Sequence, residues 1–235
     1  MNPPIVLVIN ADDFGQSPAV NEGILAAHRD GIVTSTSLMV RWPAAAEAAA
    51  AAAEFPALSI GLHLDLGEWS HDNGEWRALY QVVDGHDEQL VQQEIQSQLE
   101  QFRAMVGREP THLDSHQHVH RREPAQALLR AAGEALGIPV RHFSPYTYVG
   151  DFYGQSDDGS PVPDALTEEH LLKIVSRLTA GHWELACHPA AGPTPSSMYS
   201  NERLLELAIL TSPRVAAAVS QLGISLLPFP IRPKS

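Results

Sequence analysis

Apolar positions along the chain fall into short dense runs separated by longer amphipathic stretches. Residues 5–9, Ile-Val-Leu-Val-Ile, are apolar at every position, the pattern of a strand covered on both faces. Residues 10–16 read as a polar loop. Ser17-Pro18 then supplies an N-cap and a first-turn proline for a helix running to about Arg29. Residues 32–40, rich in Val, Thr and Ile, predict a second strand, and the Ala run within 43–54 a second helix. A third strand is expected at 58–66 and a loop at 67–86. Residues 87–106 carry a helical stripe of Leu90, Val91, Ile95, Leu99, Phe102 and Val106. Strands are further expected at 110–113, 139–143, 183–188 and 224–227. Helices are expected at 123–136, 167–180, 199–210 and from Ser212-Pro213 onward, with a second long loop at 144–166.

Seven strands thus alternate with helices, and no linker, low-complexity tract or internal repeat divides them. This alternation predicts an α/β chain built of parallel βα units in a single domain spanning residues 1–235. About seven parallel strands favour a distorted TIM-like (β/α) barrel over a doubly wound open sheet.

Composition narrows the partners. A formal net charge of -13, with 15 dispersed basic residues, argues against a nucleic-acid partner. Cys187 is the single cysteine, so neither an internal disulfide nor a Cys-based zinc site can form. No apolar run has membrane-spanning length and the amino-terminal run lacks the basic flank of a signal peptide, so a cytoplasmic protein is expected.

The chemistry concentrates in residues 111–120, Thr-His-Leu-Asp-Ser-His-Gln-His-Val-His. His112, His116, His118 and His120 fall there together with Asp114. Neutral imidazole binds metals and moves protons near neutral pH; the blander account is a polar loop that is His-rich by chance. Asp12-Asp13 follow the first strand, His63 and Asp65 end the third, and His188 ends the strand at 183–188. The carboxyl ends of parallel strands share one face, so these groups converge. Two adjacent carboxylates would repel if buried, and a divalent cation on one removes that penalty while leaving the other for proton transfer. An Asx turn capping the helix at Ser17 is the alternative. One Asp and two His suit a single divalent ion, Zn²⁺, Mg²⁺, Mn²⁺ or Co²⁺, with a site restricted to Mg²⁺ the least natural of these. Trp69, Trp76, Tyr146, Tyr148 and Tyr153 lie in the long loops, where they could stack on sugar rings or cap the core. Arg141 either binds a polar substrate group or forms a salt bridge. Cys187 beside His188 reads as a small core residue rather than a nucleophile.

With those residues in hand, the sequence resembles the YdjC-like carbohydrate deacetylases, the family of chitooligosaccharide deacetylase and hopanoid-associated deacetylases. The motifs run along nearly the whole chain: Asn10-Ala-Asp-Asp-Phe-Gly15, Gly31-Ile-Val-Thr-Ser-Thr36, Gly61-Leu-His63, the stretch from Thr111 to His120, Phe152-Tyr-Gly154, Cys187-His-Pro189 and Leu210-Thr-Ser-Pro213. The resemblance implies a distorted TIM-like barrel. It also implies Asp13, His63 and His116 as metal ligands, Asp12 as general base and His188 as general acid. His118, His120, Asp114, Arg141, Trp69 and Tyr153 would then support the site or face substrate. The implied reaction is hydrolysis of an N-acetyl group on an acetylated amino sugar, with a homodimer as the family-level expectation. Ala190-Ala191-Gly192 after Pro189 departs from relatives that place Gly directly after that proline. Hydrolysis of another bond, such as a phosphoester, is the rival within enzymes; a non-catalytic metal-dependent carbohydrate-binding protein is the rival outside them. A phosphate site would ask for free Arg or Lys, and a binding protein has no use for a base at Asp12.

Overall fold

The computed structural model describes residues 3–72, 75–156, 159–194, 197 and 199–230. Nine strands and seven helices are present among them: β1 Ile5–Phe14, α1 Pro18–Arg29, β2 Ser35–Leu38, α2 Ala45–Ala52, β3 Ser59–Leu64, β4 Gly67–Asp72, β5 Glu75–Gln81, α3 Glu88–Val106, β6 Leu113–Ser115, α4 Ala125–Leu136, β7 Thr147–Val149, α5 Glu168–Val175, β8 Gly181–Cys187, α6 Ser200–Leu210, α7 Pro213–Gln221 and β9 Ile224–Leu226.

Seven strands form one sheet in the order β6-β3-β2-β1-β8-β7, with β9 also paired to β1, and every pairing in it is parallel. β1 is the axis. β8 lines one of its edges, while the other is shared by β9 at Ile5–Leu7 and β2 at Asn10–Phe14. Nearly every β1 residue is buried, which is why its first half reads as an unbroken apolar run. The sheet curls as a half-barrel, and the segment between α4 and β7 spans its seam. Leu113 N donates to the Pro139 carbonyl and Arg141 N to the Leu113 carbonyl, tying the start of that segment to β6, while its end pairs with β8 as β7.

Local signals explain the helix ends. The Ser17, Asp87, Thr167 and Ser212 side chains each accept a backbone N–H of their helix's first turn. Gly107 and Gly137 end α3 and α4 in the left-handed conformation. α2 buries Ala45, Ala48, Ala49 and Ala52 as a narrow face of small side chains, and it packs beside α1 and α3.

Four expectations need correction. The stretch 10–16 is not a loop from its start, because β1 continues through the polar residues to Phe14 and those side chains find buried partners. The loop expected at 67–86 is an antiparallel hairpin, β4–β5. Most of β5 is exposed, so no buried face imposed the alternation that marks a strand. The strand expected at 139–143 reduces to a single bridge at Val140, and the ladder forms at β7 inside the stretch read as loop. The strand expected at 110–113 forms two to three residues later, at β6, and a 3₁₀ turn, His116–Arg121, follows it.

Candidate active site

The sheet's registers assemble the polar groups. Ala11 pairs with Cys187, so the next residues, Asp12 and His188, emerge side by side; His63 pairs directly with Asp114. Asp13, beyond them on β1, holds φ at 68°, an uncommon backbone for a residue with a Cβ. That turn aims its carboxylate across the sheet toward β3 and the 3₁₀ turn.

Asp13, His63 and His116 bring one ligand atom each within 4.8 Å of one another. Asp13 Oδ1 lies 3.4 Å from His63 Nε2 and 3.1 Å from His116 Nδ1, and Arg203 Nη2 donates to its Oδ2 at 2.5 Å. His63 Nδ1 donates to Asp114 Oδ1 at 2.8 Å, which fixes the ring and turns Nε2 inward. A carboxylate behind a histidine in this way is the usual support of a metal-binding imidazole. His116 Nε2 is buried without a hydrogen-bond partner. Burial opposes charge on His63, yet Asp114, with Asp13 and Asp12, pushes it up to about 10. The field at this point therefore favours a positive charge, which a divalent ion provides in place of a proton. The three residues fit such an ion.

Asp12 sits next to this cluster. Burial would raise its pKa, but Arg141 outweighs burial and holds the carboxyl below its ordinary value. Arg141 Nη2 and Nη1 donate to Asp12 Oδ1 at 2.8 Å and Oδ2 at 2.6 Å. Oδ1 also accepts from Asn10 Nδ2 at 2.8 Å and Ser37 Oγ at 3.4 Å, whereas Oδ2 faces His188 Nε2 at 3.8 Å. Behind His188 stands Glu206, whose carboxylate lies 3.8 Å from Nδ1 and also accepts the His188 backbone N–H and the Tyr199 hydroxyl. Burial again opposes charge on the ring, but Glu206, then Asp12 and Asp13, raise its pKa.

The sequence profile of the family described as YdjC-like protein matches residues 6–221. The chain belongs to the YdjC-like protein family. Within it, a carbohydrate deacetylase from Geobacillus stearothermophilus is 33% identical, covering 96% of this chain and 97% of the relative. A chitooligosaccharide deacetylase from Serratia marcescens is 32% identical over 94% and 96% of the two chains. Among solved structures, a protein provisionally described as a cellobiose-phosphate cleavage protein from Enterococcus faecalis V583 superposes with a TM-score of 0.78, at 26% identity over 96% and 98% of the chains. A family 4 carbohydrate esterase from Streptomyces lividans, at 15% identity and a TM-score of 0.58, covers 96% of this chain and 92% of its own and shares the fold.

The remaining residues singled out in this YdjC-like chain divide. Asp114 backs His63. Arg141 is fully enclosed, so it is not free to bind substrate: besides Asp12 it donates to Asp114 Oδ2 at 2.8 Å and Glu184 Oε1 at 2.6 Å. Tyr153 lies beside the site, edge-on to His188 and stacked on Tyr199. Trp69 is on β4, clasped through its backbone N and O to the Gln117 amide at 2.9 and 2.8 Å. Asp65 is the post for this hairpin, accepting from the Trp42 indole, the Tyr80 hydroxyl and Gly67 N. Tyr146 packs on Phe229 and on His182, near the amino end of β8, away from the site. His112 stacks on Phe229, and Cys187 is buried in the core. His118 and His120 turn away from Asp13 toward His142.

Sequence reasoning missed Arg203, Glu206, Glu184 and Glu68. Arg203 and Glu206 occupy positions of α6 that also carry Leu210 inward, and charges on an otherwise apolar stripe were the available signal. Glu68, on the hairpin, reaches within 4.0 Å of His116 Nε2.

Proposed function

We propose that this chain hydrolyses the N-acetyl group of an acetylated amino sugar, releasing acetate and the free amine. The observation that carries this reading is the pairing of Asp12 with Arg141 and of His188 with Glu206, Asp12 and His188 facing each other beside the Asp13–His63–His116 cluster. The names of the Geobacillus and Serratia relatives point to the same chemistry on carbohydrate. Asp13, His63 and His116 would hold a divalent ion, with Zn²⁺, Co²⁺ and Mn²⁺ favoured over Mg²⁺ by the two imidazoles. Such an ion supplies Lewis acidity toward water and the acetyl carbonyl.

The chain's own groups handle the protons. Asp12 stays ionised because Arg141 and Asn10 donate to it, and Oδ2, with one donor and facing His188, accepts the proton of the attacking water. His188 carries its proton more readily because Glu206 stands behind Nδ1, and Nε2 delivers that proton to the departing nitrogen. Tyr153, partly exposed beside His188, offers a ring face to the sugar. Phosphoester hydrolysis is disfavoured because the site's two guanidinium groups, Arg141 and Arg203, are both taken up by buried carboxylates.

Acetate release from N-acetylglucosamine oligomers, with and without a chelator, is the test. Release that stops with chelator and returns with a divalent ion is expected. No acetate from a broad panel of acetylated sugars sinks the proposal. A single domain, a homodimer and a cytoplasmic location belong to the same proposal; limited proteolysis, sedimentation and cell fractionation address them. No helix among the described residues is long and apolar enough to cross a membrane.

A further inference from the structure

The histidines that the first cluster leaves unused form a cluster of their own. His118, His120 and His142 bring one ligand nitrogen each within 4.8 Å of one another, at the seam where the segment leading into β7 leaves β6. We propose that these three residues are a second metal site, selective for a borderline divalent cation such as Zn²⁺, which ties the 3₁₀ turn after β6 to the residues entering β7.

The geometry is that of a ligand set. His142 Nε2 lies 3.3 Å from His118 Nδ1. Two imidazole nitrogens on a tetrahedral Zn²⁺, with bonds of about 2.0–2.1 Å, stand roughly 3.3–3.4 Å apart. The far nitrogens are held by hydroxyls: Tyr148 OH is 3.2 Å from His118 Nε2, and Ser115 Oγ is 2.5 Å from His120 Nδ1. Either hydroxyl can accept a ring proton, leaving the opposite nitrogen as the lone-pair donor, the arrangement that orients metal-binding histidines. His120 Nε2 faces the Arg141 carbonyl at 3.2 Å and exchanges that hydrogen bond for the ion.

Further features agree. The positive charge of Arg141 is offset locally by Asp12, Asp114 and Glu184 around its guanidinium. His118 and His142 hold φ at 52° and 67°, conformations that cost free energy and concentrate where a side chain must be aimed. A donor set of imidazoles without carboxylate selects Zn²⁺, Co²⁺ or Ni²⁺ rather than Mg²⁺. His118 and His142 are only partly buried, which leaves the ion a way in.

The test is titration of the metal-stripped full chain with Zn²⁺ alone, read by calorimetry and by metal content after dialysis. The parent should bind two equivalents, Asp13→Ala one, His142→Asn one, and the double variant none. Asn tolerates the left-handed backbone, so His142→Asn removes the imidazole with little strain, and His118→Asn is the second variant that must give the same loss. Tyr148→Phe should keep two equivalents but weaken one by about 10–100-fold. Zn²⁺ should raise the melting temperature of Asp13→Ala, and this rise should vanish when His142→Asn is added. One equivalent lost in His142→Asn but kept in Asp13→Ala would uphold this site while removing the first. Two equivalents retained in both His142→Asn and His118→Asn, or a single equivalent that only Asp13→Ala removes, overturns the proposal and leaves a hydrogen-bonded histidine cluster.

Discussion

Arg141→Met removes the one cation shared by three buried carboxylates while keeping much of its stem volume. The guanidinium donates to Asp12 at 2.6 and 2.8 Å, to Asp114 at 2.8 Å and to Glu184 at 2.6 Å, and all four residues are at most 3% exposed. Stranding a charge by removing its buried partner costs about 3–5 kcal/mol. That figure applies once to the whole cluster, because contacts sharing one cation do not add. At about 2–4 °C per kcal/mol for a chain of this size, the melting temperature of the metal-free protein should fall by roughly 6–20 °C near neutral pH. The pH dependence supplies the sharper test. In the parent, Arg141 outweighs burial and lowers Asp12 and Asp114, so their stabilisation is present above ordinary carboxylate values and is lost as acid reaches the lowered folded values. Burial dominates at Glu184 even with Arg141 present, pushing it up to about 7. Without Arg141, burial loses its main opponent at all three, although His63 still counters it at Asp114 and Asp12; the folded values move up, and stability falls as pH rises. The deficit of Arg141→Met against the parent should therefore shrink between about pH 7.5 and about pH 5. Denaturant unfolding at both values measures it. A deficit below about 1 kcal/mol near neutrality, or one that grows on acidification, refutes the account.

Three other outcomes are expected. Asp12→Asn should keep its metal and lose about a hundredfold or more in kcat for acetate release, whereas Asp13→Ala and His116→Ala should lose Zn²⁺ from the first site; unchanged metal content in the latter pair removes the ligand assignment. Glu206→Gln should lower the His188 pKa, because the carboxylate is the leading favourable influence on its charge. A general acid must be protonated, so the alkaline limb of the kcat/KM profile should move to lower pH; a limb that stays in place excludes His188 as the acid. Gly61→Ala should destabilise by about 1–3 kcal/mol, since its methyl would fall 2.4–2.5 Å from the ring of His112, itself stacked on Phe229; calorimetric unfolding checks it.

The parts of the fold and site that were legible in the sequence are those fixed by local pattern. The apolar run of β1 and the Ser17-Pro18 and Ser212-Pro213 openings of α1 and α7 all act within a few residues of themselves. The convergence of Asp12, Asp13, His63 and His188 followed from parallel strands sharing a carboxyl end, with no knowledge of register. What stayed hidden depends on partners far away in sequence. Arg141 could be read as substrate-binding because its three carboxylates come from positions 12, 114 and 184. The hairpin at 67–81 is held by Asp65 and Gln117 rather than by a buried face, so no alternation announced it, although Asn73-Gly74 is a turn dipeptide. Those two residues themselves lie outside the described ones.

Backbone conformation joins the two histidine clusters into one argument. Among the described residues, four that are not glycine hold positive φ: Asp13, Gln117, His118 and His142. Asp13 belongs to the first cluster, His118 and His142 to the second, and Gln117 clasps the hairpin that carries Glu68 toward His116. Arg141 stands between them, its side chain holding Asp12 and Asp114 and its carbonyl facing His120, while its neighbour His142 turns left-handed. A shift of the seam at Val140 would therefore move the proposed base and the second histidine cluster together. At the half-barrel's seam, where the segment before β7 meets β6 in a single bridge at Val140, Arg141 and the histidines supply the contacts that a full strand ladder makes elsewhere in the sheet.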